Sequence, residues 1–220
     1  MNQKTQLPKA NKTRNDIIQA TEKLFAAKGF QAMTLRDVTR DARVNLAAVN
    51  YHFGSKQNLM LAVIRNRFEP INEERIRRLE ALSDDFHPNP IPLEAIFDAL
   101  FQPLFEAAAK DDASDVILIQ MIGRAITEPA DFLCAMHKEF FAELTRRFMI
   151  EIKRSCSTLS DEQLEYRFFF AISTMIGTIV EKNRLERISG GKLDSPNLDR
   201  TVRELTAFVV SGFLQSDSTA

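Results

Sequence analysis

Apolar residues recur at helical spacing along almost the whole chain. In the stretch that begins near residue 12, for example, Ile17, Leu24 and Phe25 lie on one face of a predicted helix. Few stretches show the strict alternation of apolar and polar residues that is typical of a half-buried strand. Capping residues, glycines and prolines separate the helical segments. The pattern predicts an all-α fold of about nine helices.

The first three predicted helices follow one another closely, at about 12–28, 35–42 and 46–53, and the second and third are short. A tight turn joins the second helix to the third. This is the helix-turn-helix plan, in which the later helix reads DNA. The residues that would cap or end these helices are Asn11 or Thr13, Gly29, Thr34, Asn45 and Gly54.

Longer helices make up the rest of the chain. The helix predicted at 56–82 contains Pro70, which predicts a kink near residues 66–70 because proline removes a backbone hydrogen bond and clashes with the preceding turn. A loop at 84–92 follows. Five further helices are then predicted at 93–110, 114–127, 131–156, 161–188 and 196–215.

The net charge of −1 conceals an asymmetry between the two ends of the chain. Residues 1–60 contain ten Lys or Arg and four Asp or Glu, which gives +6. Residues 61–220 contain the other 19 basic and 26 acidic residues, which gives −7. A basic head on an acidic body is expected when one part of a protein meets a polyanion. A solvated basic face would give the same totals.

The third predicted helix lies in the segment VNLAAVNYHFGSK, residues 44–56. Ala47 and Ala48 are small enough to let a helix backbone approach a DNA groove, and Asn50 offers both a donor and an acceptor for base edges. Each residue also fits an ordinary solvated helix. Together, in a basic segment, they favour DNA binding. The residues able to contact phosphate are Tyr51, His52 and Lys56.

The stretch TLRDVTRDARVNLAAVNYHFGSKQNLMLAV resembles the DNA-binding region of TetR-family transcriptional repressors. The shared pattern is a Thr-capped helix, a Val after the turn, and an aromatic-His-Phe run followed by a small pair and Lys. It covers about residues 12–65, and residues 44–56 look like the subgroup that includes fatty-acid-responsive repressors. Many relatives have Gly or Pro at the position of Ala47 and an aromatic at that of Asn50, so no operator sequence is carried over.

The resemblance implies a two-part helical protein: a disordered basic arm at 1–11, a DNA-binding domain at 12–55, and a ligand-binding and dimerisation domain at 56–220 that includes the connecting helix 56–82. It implies a dimeric regulator, usually a repressor, that binds a palindromic double-stranded DNA operator. A small apolar or amphipathic effector, such as a fatty acid, an acyl-CoA, an aromatic compound or a drug, would release it. The implied DNA-contacting residues are Thr34, Arg36, Asn45, Leu46, Ala47, Asn50, Tyr51, His52 and Lys56.

The second half of the chain has helical faces rich in Phe and Met, which predict either a packed core or an apolar ligand pocket. Arg124 is notable because its helix is mostly apolar. We expect it to pair with Glu128, four residues on, although it could instead meet a ligand carboxylate or phosphate. The candidate ligand-binding residues are Phe101, Phe105, Gln120, Arg124, His137, Phe140, Phe141, Phe169 and Thr174.

The last two predicted helices have apolar stripes that would suit a two-fold, four-helix dimer interface. Burial inside one chain would give the same stripes, so the expected homodimer depends on the resemblance. The residues predicted for the interface are Ile172, Ile176, Ile179, Val202, Leu205, Val209 and Phe213.

Several other classes of protein are disfavoured. The sequence has no Gly-rich phosphate loop, no nucleophile elbow and no paired metal-ligand spacing, so we expect no enzyme activity, cofactor or metal. Cys134 and Cys156 predict free thiols in a reducing cytoplasm, and no segment predicts export or a membrane span. The alternative to a DNA-binding regulator is a helical protein-interaction module whose basic head binds another polyanion.

Overall fold

The computed structural model describes residues 6–109, 113–181, 184, 187–192 and 198–215. All regular structure in those ranges is helical, which confirms the all-α prediction, with ten helices rather than about nine. The helices are α1 (Gln6–Ala32), α2 (Leu35–Asp41), α3 (Leu46–Phe53), α4 (Lys56–Phe86), α5 (Leu93–Ala107), α6 (Ala113–Ile126), α7 (Ala130–Phe140), α8 (Ala142–Ser155), α9 (Asp161–Val180) and α10 (Leu198–Leu214).

The described residues form two compact units. The first unit takes its residues from 1–69 and 116–140, and the second from 70–115 and 141–220. Packing therefore divides both α4, at Pro70, and α6, at Val116. The predicted functional boundary between residues 55 and 56 follows a helix end instead, and it stays a prediction.

The core of the first unit joins the helix-turn-helix to α7 and most of α6. Val49 of α3 and Met121 of α6 are buried in the same cluster, and Phe132 of α7 packs against it. The Phe132 ring stacks on that of Phe30 with 5.0 Å between ring centroids. The short helices α2 and α3 are therefore held by apolar contacts, since their propensity alone would not keep them folded.

The core of the second unit is built around α5, which packs against α8 and α10. Phe97 and Phe101 of α5 are fully buried, and the Phe97 ring lies 5.0 Å from that of Phe213 on α10. Thr206 of α10 donates a hydrogen bond to Asp98 of α5 at 2.7 Å, which satisfies a buried hydroxyl group at this contact.

The first helix begins earlier than expected. α1 is helical from Gln6, so the disorder predicted for residues 1–11 does not describe residues 6–11, and residues 1–5 lie outside the described residues. Pro8 is the third residue of α1, where its missing N–H has no intrahelical partner to lose. Near the other end, Gly29 leaves the helical conformation with φ 78°, as expected of a helix-ending glycine, although helical structure continues to Ala32.

The helix predicted at 131–156 is in fact two helices that break at Phe141, where φ is −121° and ψ is −15°. No glycine or proline marks this break. Phe140 packs in the first unit, while Leu144 and Phe148 are buried in the second. The division therefore follows from tertiary packing, which a local helix signal does not report.

The remaining helix limits differ mainly at their ends. α9 ends at Val180 and not at 188, and the glycines expected to end it, Gly190 and Gly191, have positive φ values of 62° and 77°. Ser160 and Gln163 form the predicted capping box of α9. The predicted start at Pro196 lies outside the described residues, and α10 begins at Leu198.

Candidate functional site

The helix α3 is fixed at both ends by the residues that the sequence indicated. The Asn45 side chain accepts a hydrogen bond from the Ala48 backbone N–H at 2.8 Å, which makes it the N-cap. Gly54 ends the helix with φ 74°, a value that favours glycine. Val49 and Phe53, which are 1% and 8% exposed, anchor α3 to the core. Its other faces are therefore presented in a defined orientation.

The side of α3 away from the core carries the predicted reading residues. Asn45, Ala47 and Asn50 are exposed, and Tyr51 is 83% exposed. Leu46 is also exposed, at 48%, although it is apolar. The structure thus brings five of the nine predicted DNA-contacting residues together on one accessible surface, which we call the α3 face: Asn45, Leu46, Ala47, Asn50 and Tyr51.

The preceding helix α2 is capped by Thr34, whose hydroxyl accepts a hydrogen bond from the Asp37 N–H at 3.1 Å. The Asp37 carboxylate accepts in return from the Thr34 backbone N–H and hydroxyl group. These hydrogen bonds from Thr34, helped by Lys28 and Arg40, lower the pKa of Asp37. Thr34 therefore stabilises the start of α2, which packs against α3, and Arg36, also predicted to contact DNA, is exposed on α2.

Two predicted phosphate contacts are less accessible than the α3 face. His52 is half-buried, with its ring 6.0 Å from that of Phe53. The Lys56 ammonium lies 4.4 Å from the centre of the Phe30 ring, and burial lowers its pKa while the charge of Glu128 partly offsets that effect. A phosphate contact by Lys56 would require its ammonium group to leave this position, so that contact stays a prediction.

Arg124 and Glu128 do not form the predicted ion pair but bind the end of α1 separately. The Arg124 guanidinium donates to the carbonyl oxygens of Ala26, at 3.4 Å, and Ala27, at 3.0 Å. The Glu128 carboxylate accepts from the Phe30 backbone N–H at 2.6 Å. Backbone groups that a helix end leaves unsatisfied attract such side chains, and a prediction based on i,i+4 spacing does not take them into account.

The nine candidate ligand residues do not form one cluster within either unit. Gln120, Arg124, His137 and Phe140 belong to the first unit, whereas the others belong to the second. A groove of about 300 Å3 in the second unit is lined by other residues, namely Arg146, Met149, Ile150, Lys153, Asp161, Leu164 and Glu165. The five candidate ligand residues that lie in the second unit, none of which lines this groove, are Phe101, Phe105, Phe141, Phe169 and Thr174.

Most of the predicted dimer stripe is buried inside one chain. Val202, Leu205, Val209 and Phe213 of α10 are 3–6% exposed, and Ile179 of α9 is 1% exposed. α10 packs against α5 of the same chain, which explains why its apolar stripe resembled an interface. Ile172 and Ile176 are half-buried. The buried members of the stripe could reach a partner chain only if the second unit unpacked.

A different set of apolar side chains is exposed on the same two helices. Tyr166, Phe169 and Phe170 of α9 are 57–64% exposed, and Phe208 of α10 is 68% exposed. The Arg167 guanidinium donates to the carbonyl oxygen of Gly212 at 2.8 Å, so the first half of α9 lies beside the end of α10. We call these four residues the α9–α10 face. The spacing of the α9 residues, at i, i+3 and i+4, is a sequence signal that could have indicated this face, although Phe169 was predicted to bind ligand.

The described residues lack the features of two other classes of protein. Within the described ranges, no helix combines the length and the apolar character needed to cross a membrane. In the same residues, no group of three or more His, Cys, Asp or Glu side chains is arranged to hold a metal ion.

The short capped helices and the exposed α3 face define a helix-turn-helix protein with an additional all-helical unit. Residues 17–63 match the family model of bacterial regulatory proteins of the tetR family, and residues 98–212 match the tetracyclin repressor-like C-terminal domain. The second match alone covers more than half of the chain. The chain belongs to the TetR family of transcriptional regulators.

Curated relatives are similar over a limited stretch. HbdR, an HTH-type transcriptional regulator of Aromatoleum sp. (strain CIB), is 29% identical over 75 residues, which are 34% of this chain and 31% of HbdR. NicS, an HTH-type transcriptional repressor of Pseudomonas putida, is 28% identical over 75 residues, 34% of this chain and 35% of NicS. The matched stretch spans about a third of each relative.

Solved structures share the fold over nearly the whole chain. A Clostridium perfringens protein named as a regulator of fatty acid metabolism matches with a TM-score of 0.57 at 16% identity, over 91% of this chain and 100% of its own. The SmeT–triclosan complex matches with a TM-score of 0.57 at 17% identity, over 94% and 97% of the two chains. At these identities the similarity concerns the fold alone.

Proposed function

We propose that the protein is a dimeric, ligand-responsive repressor that binds a palindromic DNA operator through two α3 faces. A small apolar or amphipathic effector, such as a fatty acid or an acyl-CoA, releases it from DNA. Family membership shows that the chain is a TetR-type regulator. Repression, a palindromic operator and a specific class of effector are what we add to it.

The observation that carries the proposal is the α3 face itself. Asn50 and Tyr51 are exposed on a helix whose Val49 and Phe53 are buried, so the reading residues are held on a rigid support. Ala47 leaves room for the helix to approach the bases, and Asn50 can donate to and accept from one base edge. Thr34 and Arg36 lie on or next to α2, where they would contact phosphate and position α3 without specifying sequence.

The α9–α10 face supports the proposed dimer. Four large aromatic side chains are more than half exposed there, and the three on α9 lie against one another. Exposed aromatic groups that lie together are typical of a contact surface. If a second copy packs the same face against it about a two-fold axis, two α3 faces are presented with two-fold symmetry, which suits two inverted half-sites.

The proposed effector site lies in the second unit. The packed Phe side chains of α5 offer an apolar environment, and the SmeT structure was solved with triclosan while that of EbrR was solved with malachite green. Triclosan and malachite green are ligands of SmeT and EbrR, respectively. For this chain, differential affinity of the effector for two conformations would shift the population away from the DNA-binding state.

Selection of bound duplexes from a random pool tests the proposal. The purified chain is expected to enrich a palindromic site, whereas the Asn50→Ala/Tyr51→Ala variant, with both changes on the exposed face, is expected to fold normally and enrich none. Failure of the folded native chain to enrich any site at low salt, where phosphate contacts are strongest, would contradict DNA binding. The basic head would then need another polyanionic or protein partner.

A further inference from the structure

Arg75 is a charged side chain in the core of the second unit, with only 3% of its surface exposed. It lies on the buried side of α4, four residues after Ile71 and four before Leu79, which are 7% and 4% exposed. Arginine is almost never fully buried unless it is paired. A charged residue in this apolar stripe is therefore unusual, and its partners indicate what it could bind.

Neutral groups from three helices surround the Arg75 guanidinium. Its Nε donates to the carbonyl oxygen of Leu100 on α5 at 2.7 Å, and one terminal nitrogen donates to Asn72 Oδ1 on α4 at 3.1 Å. The other terminal nitrogen contacts the Met175 sulfur on α9 at 3.7 Å. A thioether is a weak acceptor. The part of the guanidinium that faces α9 is therefore the least well satisfied.

No carboxylate in the described part of the chain forms an ion pair with Arg75. The nearby acidic residues already have other partners. Glu74, the preceding residue, accepts hydrogen bonds from Arg77 and Arg78, and Glu106 of α5 accepts from Arg78. The charge on Arg75 is thus balanced by hydrogen-bonding dipoles and not by an opposite charge.

Arg75 keeps its charge in spite of this burial. Loss of solvation lowers the pKa of its guanidinium to about 10, which is still well above neutral pH. A buried charge without a partner of opposite sign is unfavourable, whereas a charge-assisted pair with a carboxylate is strong. An anion that reached Arg75 would therefore gain more from the contact than it would on the protein surface.

The part of α5 that Arg75 contacts is apolar in its side chains. Ile96, Phe97 and Phe101 of α5 are 0% exposed, close in sequence to the Leu100 carbonyl that Arg75 binds. Met175 is unbranched and adaptable, so it can move aside more easily than a branched or aromatic side chain. A single cation beside a buried apolar helix face suits a ligand with an apolar body and an anionic head.

We propose that Arg75 binds the carboxylate head of the effector, with its two terminal nitrogens as a bidentate fork and with the Met175 side chain displaced. The effector is thus a small carboxylic acid with an apolar body. This inference rests on the proposed function only in that the bound carboxylate is called an effector, that is, a ligand that releases DNA. The anion site itself depends on the second unit and not on DNA binding.

Calorimetric titration of the DNA-free, full-length chain tests the site with matched pairs of ligands. The pairs are octanoate and octanol, dodecanoate and dodecanol, and 4-phenylbutyrate and 4-phenylbutanol. In at least one pair the native chain is expected to bind the carboxylate about tenfold or more tightly than the alcohol, as a charge-assisted hydrogen bond predicts. If no carboxylate is preferred over its alcohol, the proposal is overturned, and this comparison needs no variant.

Two arginine variants then locate the preference. Arg75→Met is expected to abolish it while alcohol affinity changes less than about threefold, because the variant removes the charge and leaves an apolar side chain in its place. Arg78→Met is the matched control on the same helix, because Arg78 is already bound to Glu74 and Glu106. It should keep the preference. A folded Arg75→Met chain that still prefers carboxylates would refute the assignment.

A separate experiment distinguishes this inference from the proposed function. The carboxylate that binds is added to the complex of the native chain with its selected operator, and DNA release is measured. Release that is lost in Arg75→Met supports an effector site. Binding without release would overturn the effector role, while failure to select any operator would not change the calorimetric result.

Discussion

The two units of the chain differ in the side chains that depart from ordinary burial. In the first unit the polar Asn50 and Tyr51 are exposed on α3, as expected of a surface that meets bases and phosphates. In the second unit Arg75 is 3% exposed, while Phe169 and Phe208 are 64% and 68% exposed. A buried charge and exposed aromatic rings are the informative departures from ordinary burial. These departures are the basis of the aromatic contact surface and the anion site that we propose for the second unit.

The largest effect is expected from the buried side of α3. Phe53→Ala should lower the free energy of unfolding by about 3–5 kcal/mol, because it removes an aromatic ring from the core of the first unit. Tyr51→Ala, two residues earlier but 83% exposed, should change it by less than about 0.5 kcal/mol. Urea unfolding compares the two variants. Similar losses in both would show that Tyr51 is part of the core, and the comparison of the two units would fail.

The exposed aromatic rings of the second unit should act on assembly and not on folding. Phe208→Glu is expected to weaken the dimer by about 2 kcal/mol or more, roughly a thirtyfold increase in the dimer dissociation constant. Val116→Glu, an exposed apolar residue of the first unit, is the matched control. Sedimentation equilibrium measures both variants. An unchanged dimer in Phe208→Glu would exclude the α9–α10 face.

A third comparison uses glycines. Gly29 has φ 78°, and a Cβ atom there would lie 2.5 Å from Glu128 Oε1, so Gly29→Ala should destabilise the first unit by about 1–2 kcal/mol. Gly212 lies inside α10 with open space around it, and Gly212→Ala should stabilise by about 0.5–1 kcal/mol. Thermal unfolding gives the sign of each change. The same sign in both variants would contradict this account of Gly29.

An effect smaller than that of Gly29→Ala is expected at the cap of α2. Thr34→Ala should cost about 1 kcal/mol, because the Asp37 N–H loses its acceptor. The Thr34 hydrogen bonds lower the pKa of Asp37, so the stability that they supply is complete above the ordinary value of 3.8 and is lost as the pH falls through the lowered value. The difference in unfolding free energy between the native chain and Thr34→Ala should therefore shrink below about pH 4. A constant difference down to pH 2 would contradict the role of Asp37.

The local features of the first unit could be predicted from the sequence because each is decided by a few neighbouring residues. The caps Thr34 and Asn45 and the end of α3 at Gly54 depend on hydrogen bonds and dihedral angles within three or four positions. The buried positions Val49 and Phe53 lie four residues apart, as helical spacing requires of one face. The candidate DNA surface can therefore be predicted from local sequence, because it does not depend on contacts between distant helices.

The features that the sequence did not predict depend on contacts between distant residues. The stripe that contains Phe213 could cover either a partner or its own chain, and only the packing of α10 on α5 decides between them. Arg124 binds the end of α1, which is 97 or 98 residues away in the chain. Arg75 occupies a core position of α4, although its residue type indicates the surface.

One measurement tests the central claim most directly, namely that two α3 faces on a two-fold dimer read a palindrome. Fluorescence anisotropy at fixed salt compares the selected duplex with one in which a single half-site is scrambled. We predict that the native chain binds the scrambled duplex at least about a hundredfold more weakly, since each mismatched base pair costs about 1–3 kcal/mol. Equal affinity for the two duplexes would mean that one α3 face, or none, reads the site, and would contradict the account.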